Sequence, residues 1–113
     1  MQITDLRIRK LFEESPMKAI ISATFDNQLV VHDIKVICAR ERYFVVMPSK
    51  RVGDDGYRDV AHPITYDFRK YVEITVMAAY WQAVEAAKND PDLYSQLYEG
   101  SKAETDGAAN PDP

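Results

Sequence analysis

This chain has little of what would tie it to a membrane or to a disulfide-stabilised fold. Its 113 residues include a single cysteine, Cys38, so no internal disulfide can form and a reducing compartment is expected. No apolar run approaches the roughly 18 residues that a membrane-spanning helix needs. Residues 1–9 alternate like a strand and do not form an apolar signal region. These absences predict a cytoplasmic protein with no membrane partner.

Recognisable catalytic and cofactor motifs are missing as well. Only four glycines are present, and Gly53 and Gly56 do not follow the pattern of a phosphate-binding loop. Ser49 has no nucleophile-elbow context. The candidate metal ligands lack i, i+4 helical spacing and Cys-x-x-Cys spacing; they are His32, Asp33, Cys38, Asp59 and His62. The sequence therefore predicts that the protein is not an enzyme and that it has no cofactor, no metal site and no small-molecule substrate.

The charge that is present is unevenly distributed. Residues 1–88 hold 13 Lys+Arg and 12 Asp+Glu, a net charge of +1, whereas residues 89–113 hold one Lys and six Asp+Glu, a net charge of −5. A nearly neutral body attracts phosphates only weakly and locally. Any nucleic-acid binding must therefore come from a few clustered cations, which a dimer would present twice.

Hydrophobic periodicity predicts an α+β fold, with an antiparallel sheet of about five strands followed by a long C-terminal helix. A tight hairpin connects the second and third strands at residues 26–28, and a charged loop is expected at residues 38–42. Pro48 ends the fourth strand because proline cannot donate to the ladder. The predicted strands cover residues 2–12, 17–25, 29–37, 43–47 and 57–61.

The predicted helix begins after the candidate N-cap Thr65 and runs to about Lys88. Its apolar stripe contains Val72, Val76, Ala79 and Ala83, widened by Tyr80 and Trp81. One helix covers only part of one sheet face. An uncovered apolar face or an open edge strand therefore predicts a homodimer.

The sequence predicts one folded domain over residues 1–88, a short helical extension over 89–100, and an acidic disordered tail over 101–113. The tail can compete with nucleic acid for a basic patch or simply aid solubility, and the second role is favoured. Tyr80 and Trp81, with Leu93 and Leu97 in the extension, can alter dimer packing or create a higher oligomer.

Two groups of cations are candidates for phosphate contact. Lys50 and Arg51 follow the fourth strand beside the hydroxyl of Ser49, and Arg58 lies across the predicted hairpin. Spacing alone favours ordinary surface charge for this group. The second group is Arg69 and Lys70 near the helix N-terminus, where cations oppose the helix dipole.

Other basic and aromatic residues have simpler interpretations. Arg7, Arg9 and Lys10 on the first strand are interpreted as the solvent face of a sheet, with Lys18 and Lys35 nearby. Tyrosines can stack on exposed bases, but such aromatics more often pack against a core. The tyrosines concerned are Tyr57, Tyr66 and Tyr71.

Several segments, in the same order, resemble the stage V sporulation protein G (septation protein) family. They are Ile3–Arg9, Lys18-Ala19, Val30–Ile34, Pro48–Arg51, and the Arg-Asp-Val-Ala-His-Pro stretch at residues 58–63. The resemblance covers roughly residues 1–80. It implies a small homodimeric, site-selective DNA- and RNA-binding regulator, linked to septation and sporulation control, that is not an enzyme.

The resemblance also changes the interpretation of the first group of cations from ordinary surface charge to phosphate contact. It implies that Ser49, Lys50, Arg51 and Arg58 contact nucleic acid, because Pro48–Arg51 is a recognisable family segment. Arg69 matches a basic family position on the helix, whereas the family's next basic residue is Tyr71 here.

Lys70 is shifted by one position from that pattern, which turns its side chain by about 100° around the helix. Lys70 is therefore expected to assist only. The alternative is a protein-interaction module that does not bind nucleic acid directly.

Overall fold

The computed structural model describes residues 1–54 and 56–99. The predicted disordered tail at 101–113 and the last residue of the predicted extension lie outside the described residues. No helix in the described part of the chain is long and apolar enough to cross a membrane. In chain order, the elements are β1 (Ile3–Leu11), β2 (Met17–Phe25), β3 (Leu29–Ala39), β4 (Arg42–Val46), β5 (Ser49–Arg51), β6 (Tyr57–Asp59), α1 (Tyr66–Lys88), α2 (Pro91–Tyr94) and a π-helical turn at Ser95–Glu99.

The first four strands form one antiparallel sheet in the order β1-β2-β3-β4, and α1 follows it, so the predicted α+β class is confirmed. On β1 the alternation is as predicted, with Leu6 and Ile8 half-buried and Arg7 and Arg9 exposed. The β2–β3 hairpin is also confirmed. Asp26 and Asn27 both adopt the left-handed conformation, with φ of 51° and 55°, that a tight hairpin turn requires.

The fifth predicted strand does not join this sheet. Instead, β5 and β6 pair with each other as a separate two-stranded hairpin. Pairing of β4 with β3 stops at Val46, and Pro48, which has no backbone N–H, follows two residues later. The chain therefore leaves the sheet before β5 begins. The strand predicted at 57–61 is shorter than expected and ends at Asp59.

The predicted loop at residues 38–42 is wrong. Strand β3 continues to Ala39 and β4 starts at Arg42, which leaves only Arg40 and Glu41 in the turn. Both turn residues have a positive φ, 55° and 64°. Left-handed conformations are unfavourable for such side chains, so the turn is imposed by the long β3–β4 pairing.

The core lies between one face of the four-stranded sheet and α1. On β2, the small side chains of Ala19 and Ala23 are fully buried in this core. The helix buries Val72, Val76, Tyr80 and Ala87, while Trp81 is 46% exposed and packs edge-on against Tyr43 at 4.9 Å between ring centroids. The buried cluster consists of Leu11, Ala19, Ile21, Ala23, Phe25, Ile34, Val36, Met47, Val72, Val76 and Tyr80.

The N-terminal part of α1 is fixed by two hydrogen bonds, of which the sequence predicts the first. The Thr65 hydroxyl accepts a hydrogen bond from the Phe68 N–H at 3.2 Å, which confirms the predicted N-cap. One turn further, the Tyr71 hydroxyl accepts a hydrogen bond from the Ile3 N–H at 2.8 Å and so ties the helix to β1. After Lys88, the chain turns back, and Leu97 packs against the core.

Because of Tyr80, the fold is expected to become less stable at alkaline pH. Burial, reinforced by Tyr43, Tyr98 and Cys38, raises the pKa of Tyr80 to about 12, against about 10 in an unfolded chain. The unfolded phenol therefore ionises first. The neutral Tyr80 phenol therefore contributes fully to the free energy of unfolding below pH 10, and this contribution is lost as the pH rises toward 12.

We expect Tyr80→Phe to remove an alkaline loss of stability of about 3 kcal/mol, because the folded and unfolded pKa differ by about two and each pKa unit corresponds to about 1.4 kcal/mol. The free energy of unfolding in denaturant, measured at neutral and alkaline pH, tests this. Tyr57→Phe, which removes an exposed phenol, is the control. Equal alkaline losses in the wild type and in Tyr80→Phe would show that Tyr80 is not responsible.

Candidate nucleic-acid interface

The β5–β6 hairpin brings together the first predicted group of cations. In its register, Lys50 lies directly opposite Arg58, and Arg51 lies opposite Tyr57. Side chains of neighbouring strand residues point to opposite faces, so Lys50 and Arg58 share one face of the hairpin. Ser49 and Arg51 lie on the other face. Arg58 thus lies across the hairpin, and the register places it opposite Lys50.

The pairing of Lys50 with Arg58 is electrostatically unfavourable for the hairpin itself. Like charges directly opposite on two strands destabilise the pair. Both side chains are exposed, and no ion pair involving them occurs among the described residues. The result is a compact double positive charge with free hydrogen-bond donors, which is the chemistry that binds a phosphate group.

A few backbone contacts hold this hairpin in place. At its base, the Val60 N–H donates to the Pro48 carbonyl at 2.7 Å, next to the buried side chain of Met47. At its tip, the Val52 N–H donates to the Gly56 carbonyl at 2.8 Å. Gly56 has a φ of 95°, which only glycine adopts readily. The cations are therefore presented on a short, defined ribbon.

The second group of cations lies at the start of α1, on a separate element. The Arg69 side chain donates from Nη2 to the Pro63 carbonyl at 3.1 Å, so it helps to hold the segment that joins the hairpin to the helix. The Lys70 Nζ lies 3.8 Å from a Glu73 carboxylate oxygen and 5.7 Å from the centroid of the Tyr66 ring. Both side chains are exposed. Arg69 keeps further N–H donors for a phosphate, because a guanidinium has five.

The cations on β1 and β2 are engaged in local contacts. The Arg7 Nε lies 3.0 Å from an Asp5 carboxylate oxygen. The Arg9 Nε donates to the Ser22 hydroxyl at 3.2 Å, and the Lys18 ammonium donates to the Glu13 carbonyl at 2.9 Å. These contacts agree with the interpretation of this group as an ordinary sheet surface.

The three tyrosines discussed above fall into two classes. Tyr71 is half-buried and stacks on Phe68, as the packing interpretation predicts. For Tyr57 and Tyr66 that interpretation is wrong, since they are 71% and 72% exposed. Tyr66 precedes the inward-facing Phe68 by two residues, a rotation of about 200° around the helix. The two-residue spacing places Tyr66 on the other side of the helix from Phe68, so the sequence could have predicted its exposure.

The histidines have structural hydrogen bonds. His32 Nδ1 lies 2.8 Å from the Ser22 hydroxyl, and His62 Nδ1 lies 3.1 Å from the Pro63 carbonyl oxygen. Within residues 1–54 and 56–99, no three His, Cys, Asp or Glu side chains are placed to hold a metal ion together.

A second surface feature is an open groove between the edge strand β4 and α1. Its volume is about 460 Å³, and Lys70 and Glu73 both line it. Phe44 on the strand is 44% exposed and Ile74 on the helix is 67% exposed. In the described part of the chain, β4 is hydrogen-bonded to β3 alone. The groove therefore combines exposed apolar side chains with an unpaired strand edge.

Comparison with known proteins agrees with the sequence motifs. The family model for SpoVG matches residues 1–82. A protein of Clostridioides difficile named "Putative septation protein SpoVG" is 52% identical over 84 residues, covering 74% of this chain and 91% of its own length. A protein of the same name from Clostridium acetobutylicum is 44% identical over 99 residues, covering 88% of this chain and 100% of its own length. This chain therefore belongs to the SpoVG family.

Proposed function

We propose that this protein is a homodimeric, non-enzymatic regulator that binds DNA or RNA through the β5–β6 hairpin and the start of α1, acting in the cytoplasm in septation control. The observation that carries the proposal is the exposed Lys50–Arg58 pair, two like charges held directly opposite each other. The names of the relatives support the link to septation.

Phosphate recognition would begin at the Lys50–Arg58 pair. The two cations, one on each strand of the hairpin, can each bind one of two neighbouring phosphates, which relieves their mutual repulsion. On the opposite face, the Ser49 hydroxyl and Arg51 can contact a neighbouring phosphate. Arg69 and Lys70 extend the positive surface onto the helix. Such contacts supply affinity and position, whereas site selectivity requires contacts with bases.

The groove between β4 and α1 supports a second copy of the chain as the partner. Antiparallel pairing of two β4 strands centred on Phe44 is symmetric, as a two-fold interface requires. It would satisfy the open edge and cover the exposed Phe44 and Ile74. The dimer would present two hairpins to one nucleic acid.

Salt dependence tests the proposed binding most simply. We expect the full chain to bind a DNA duplex, a DNA single strand or an RNA single strand at low salt. Affinity should fall steeply as salt rises from about 50 to 200 mM, because each phosphate contact releases counterions. Binding that is absent at low salt for all three ligands would contradict the proposal.

A protein-interaction module is the second candidate, and the same groove favours it. An open strand edge beside apolar side chains can receive an extended peptide as well as a second copy. The two candidates differ in their salt dependence. Weak, salt-insensitive association with nucleic acid, together with a monomeric state in solution, would favour the protein-interaction module.

A further inference from the structure

Two tyrosine rings project from the surface that carries the candidate phosphate contacts. Tyr57 is 71% exposed on β6 and Tyr66 is 72% exposed at the first position of α1. Neither position is explained by packing. Large aromatic rings gain free energy when they are covered, so exposed rings in a binding surface indicate a ligand with an apolar face.

Each exposed ring lies beside a cation from the candidate site. Arg51 is directly opposite Tyr57 in the hairpin. The Lys70 ammonium lies 5.7 Å from the Tyr66 ring centroid, within range of a cation–π interaction. Phosphates and bases alternate along a nucleic-acid strand. A surface that pairs a cation with an exposed ring at two places therefore matches both parts of a nucleotide.

Tyr71 shows what a structural tyrosine looks like in the same region. It is half-buried, stacks on Phe68 at 5.9 Å between centroids, and uses its hydroxyl to accept the Ile3 N–H. No hydrogen bond involves the hydroxyl of Tyr57 or Tyr66 among the described residues. Their rings, and not their hydroxyls, are the feature available to a ligand.

We infer that Tyr57 and Tyr66 are stacking platforms for unpaired bases, so that the ligand of this surface is single-stranded nucleic acid. The inference rests on the proposed function and specifies its ligand class. In a duplex the faces of the bases are already stacked on one another, and only unpaired bases offer a face to a protein ring. DNA and RNA single strands share this chemistry.

The test compares ligands that differ in one feature at a time: the sugar, the presence of bases or the pairing. The full chain is titrated with a short oligodeoxyuridylate, an oligouridylate of equal length, an abasic DNA oligomer with the same number of phosphates, and a duplex. The first variant is Tyr57→Leu plus Tyr66→Leu, which keeps apolar side chains but removes the rings. The matched control is Tyr57→Phe plus Tyr66→Phe, which keeps both rings.

We expect the wild type to prefer a single strand with bases over the abasic oligomer by roughly tenfold for each stacked base. The leucine variant should lose this preference and the phenylalanine control should keep it. Tighter binding of the oligouridylate than of the oligodeoxyuridylate would identify RNA as the ligand, and the reverse would identify DNA.

Two results would overturn the inference, and they are distinguishable. If the abasic oligomer bound as tightly as the single strand with bases, or if the duplex bound more tightly, Tyr57 and Tyr66 would not be stacking platforms. If that binding were still salt-sensitive and dependent on Lys50, the proposed function would stand. Failure of every oligomer to bind at low salt would overturn the proposed function and the stacking role together.

Discussion

Replacing Lys50 and Arg58 with glutamine is expected to weaken binding of a single-stranded oligonucleotide by about 25-fold. Each phosphate contact on a single strand contributes about 0.7 to the slope of log affinity against log salt, which corresponds to roughly fivefold in affinity near 0.1 M salt. The double variant removes two such contacts in each protomer. The salt slope should therefore become shallower by about 1.4, or by about 2.8 if both hairpins of a dimer engage one ligand.

The same substitutions should leave the hairpin intact. Lys50 and Arg58 are exposed and face each other, so removing their charges relieves repulsion. The matched control is Arg7→Gln plus Lys88→Gln, which changes the net charge equally at exposed positions outside the hairpin. Equal loss of affinity in the control and in the test variant would mean that overall charge, and not this pair, determines binding.

Replacing Phe44 and Ile74 with lysine is expected to convert a dimer into a monomer at micromolar concentration. Burying a large apolar side chain contributes about 1.5–3 kcal/mol, and a two-fold interface contains each of these residues twice. Four desolvated lysines in the groove would therefore weaken association by several orders of magnitude. Both side chains are exposed in the single chain, at 44% and 67%, so the fold should survive.

Sedimentation of the wild type and the variant over a concentration series measures this directly. Leu29→Lys plus Val30→Lys is the control, since these two residues are also exposed apolar side chains but lie beside the β2–β3 turn. A dimer that persists in the groove variant and dissociates in the control would place the interface on another face of the sheet. A monomeric wild type would show that the chain does not form the proposed dimer.

Local rules predicted most of the fold. Alternation on β1, the Asp26-Asn27 turn, the Pro48 stop and the Thr65 cap each depend on a few neighbouring residues. The turn at Arg40 and Glu41 could not be predicted in this way. Neither residue favours the left-handed conformation, and the turn follows from the pairing of β3 with β4, which joins residues on two different strands.

The sequence predicted which cations form the candidate site but not how the fold arranges them. Motif resemblance singled out Lys50, Arg51 and Arg69, yet the separation of the hairpin from the main sheet was not visible in the strand pattern. That separation leaves Tyr57 exposed. A strand assigned to the main sheet would be expected to bury such a ring. The opposition of Lys50 and Arg58 likewise depends on register, which the loop composition alone did not fix.

The most direct test of the central claim is residue-resolved mapping of the bound surface by NMR. The isotope-labelled full chain would be titrated with a short single-stranded oligonucleotide at low salt. We expect amide shifts to change at residues 49–51, 57–59 and 66–70 and to revert as salt is added. Changes confined to the β2–β3 turn or to the end of α1, or no changes at all, would contradict nucleic-acid binding at this hairpin.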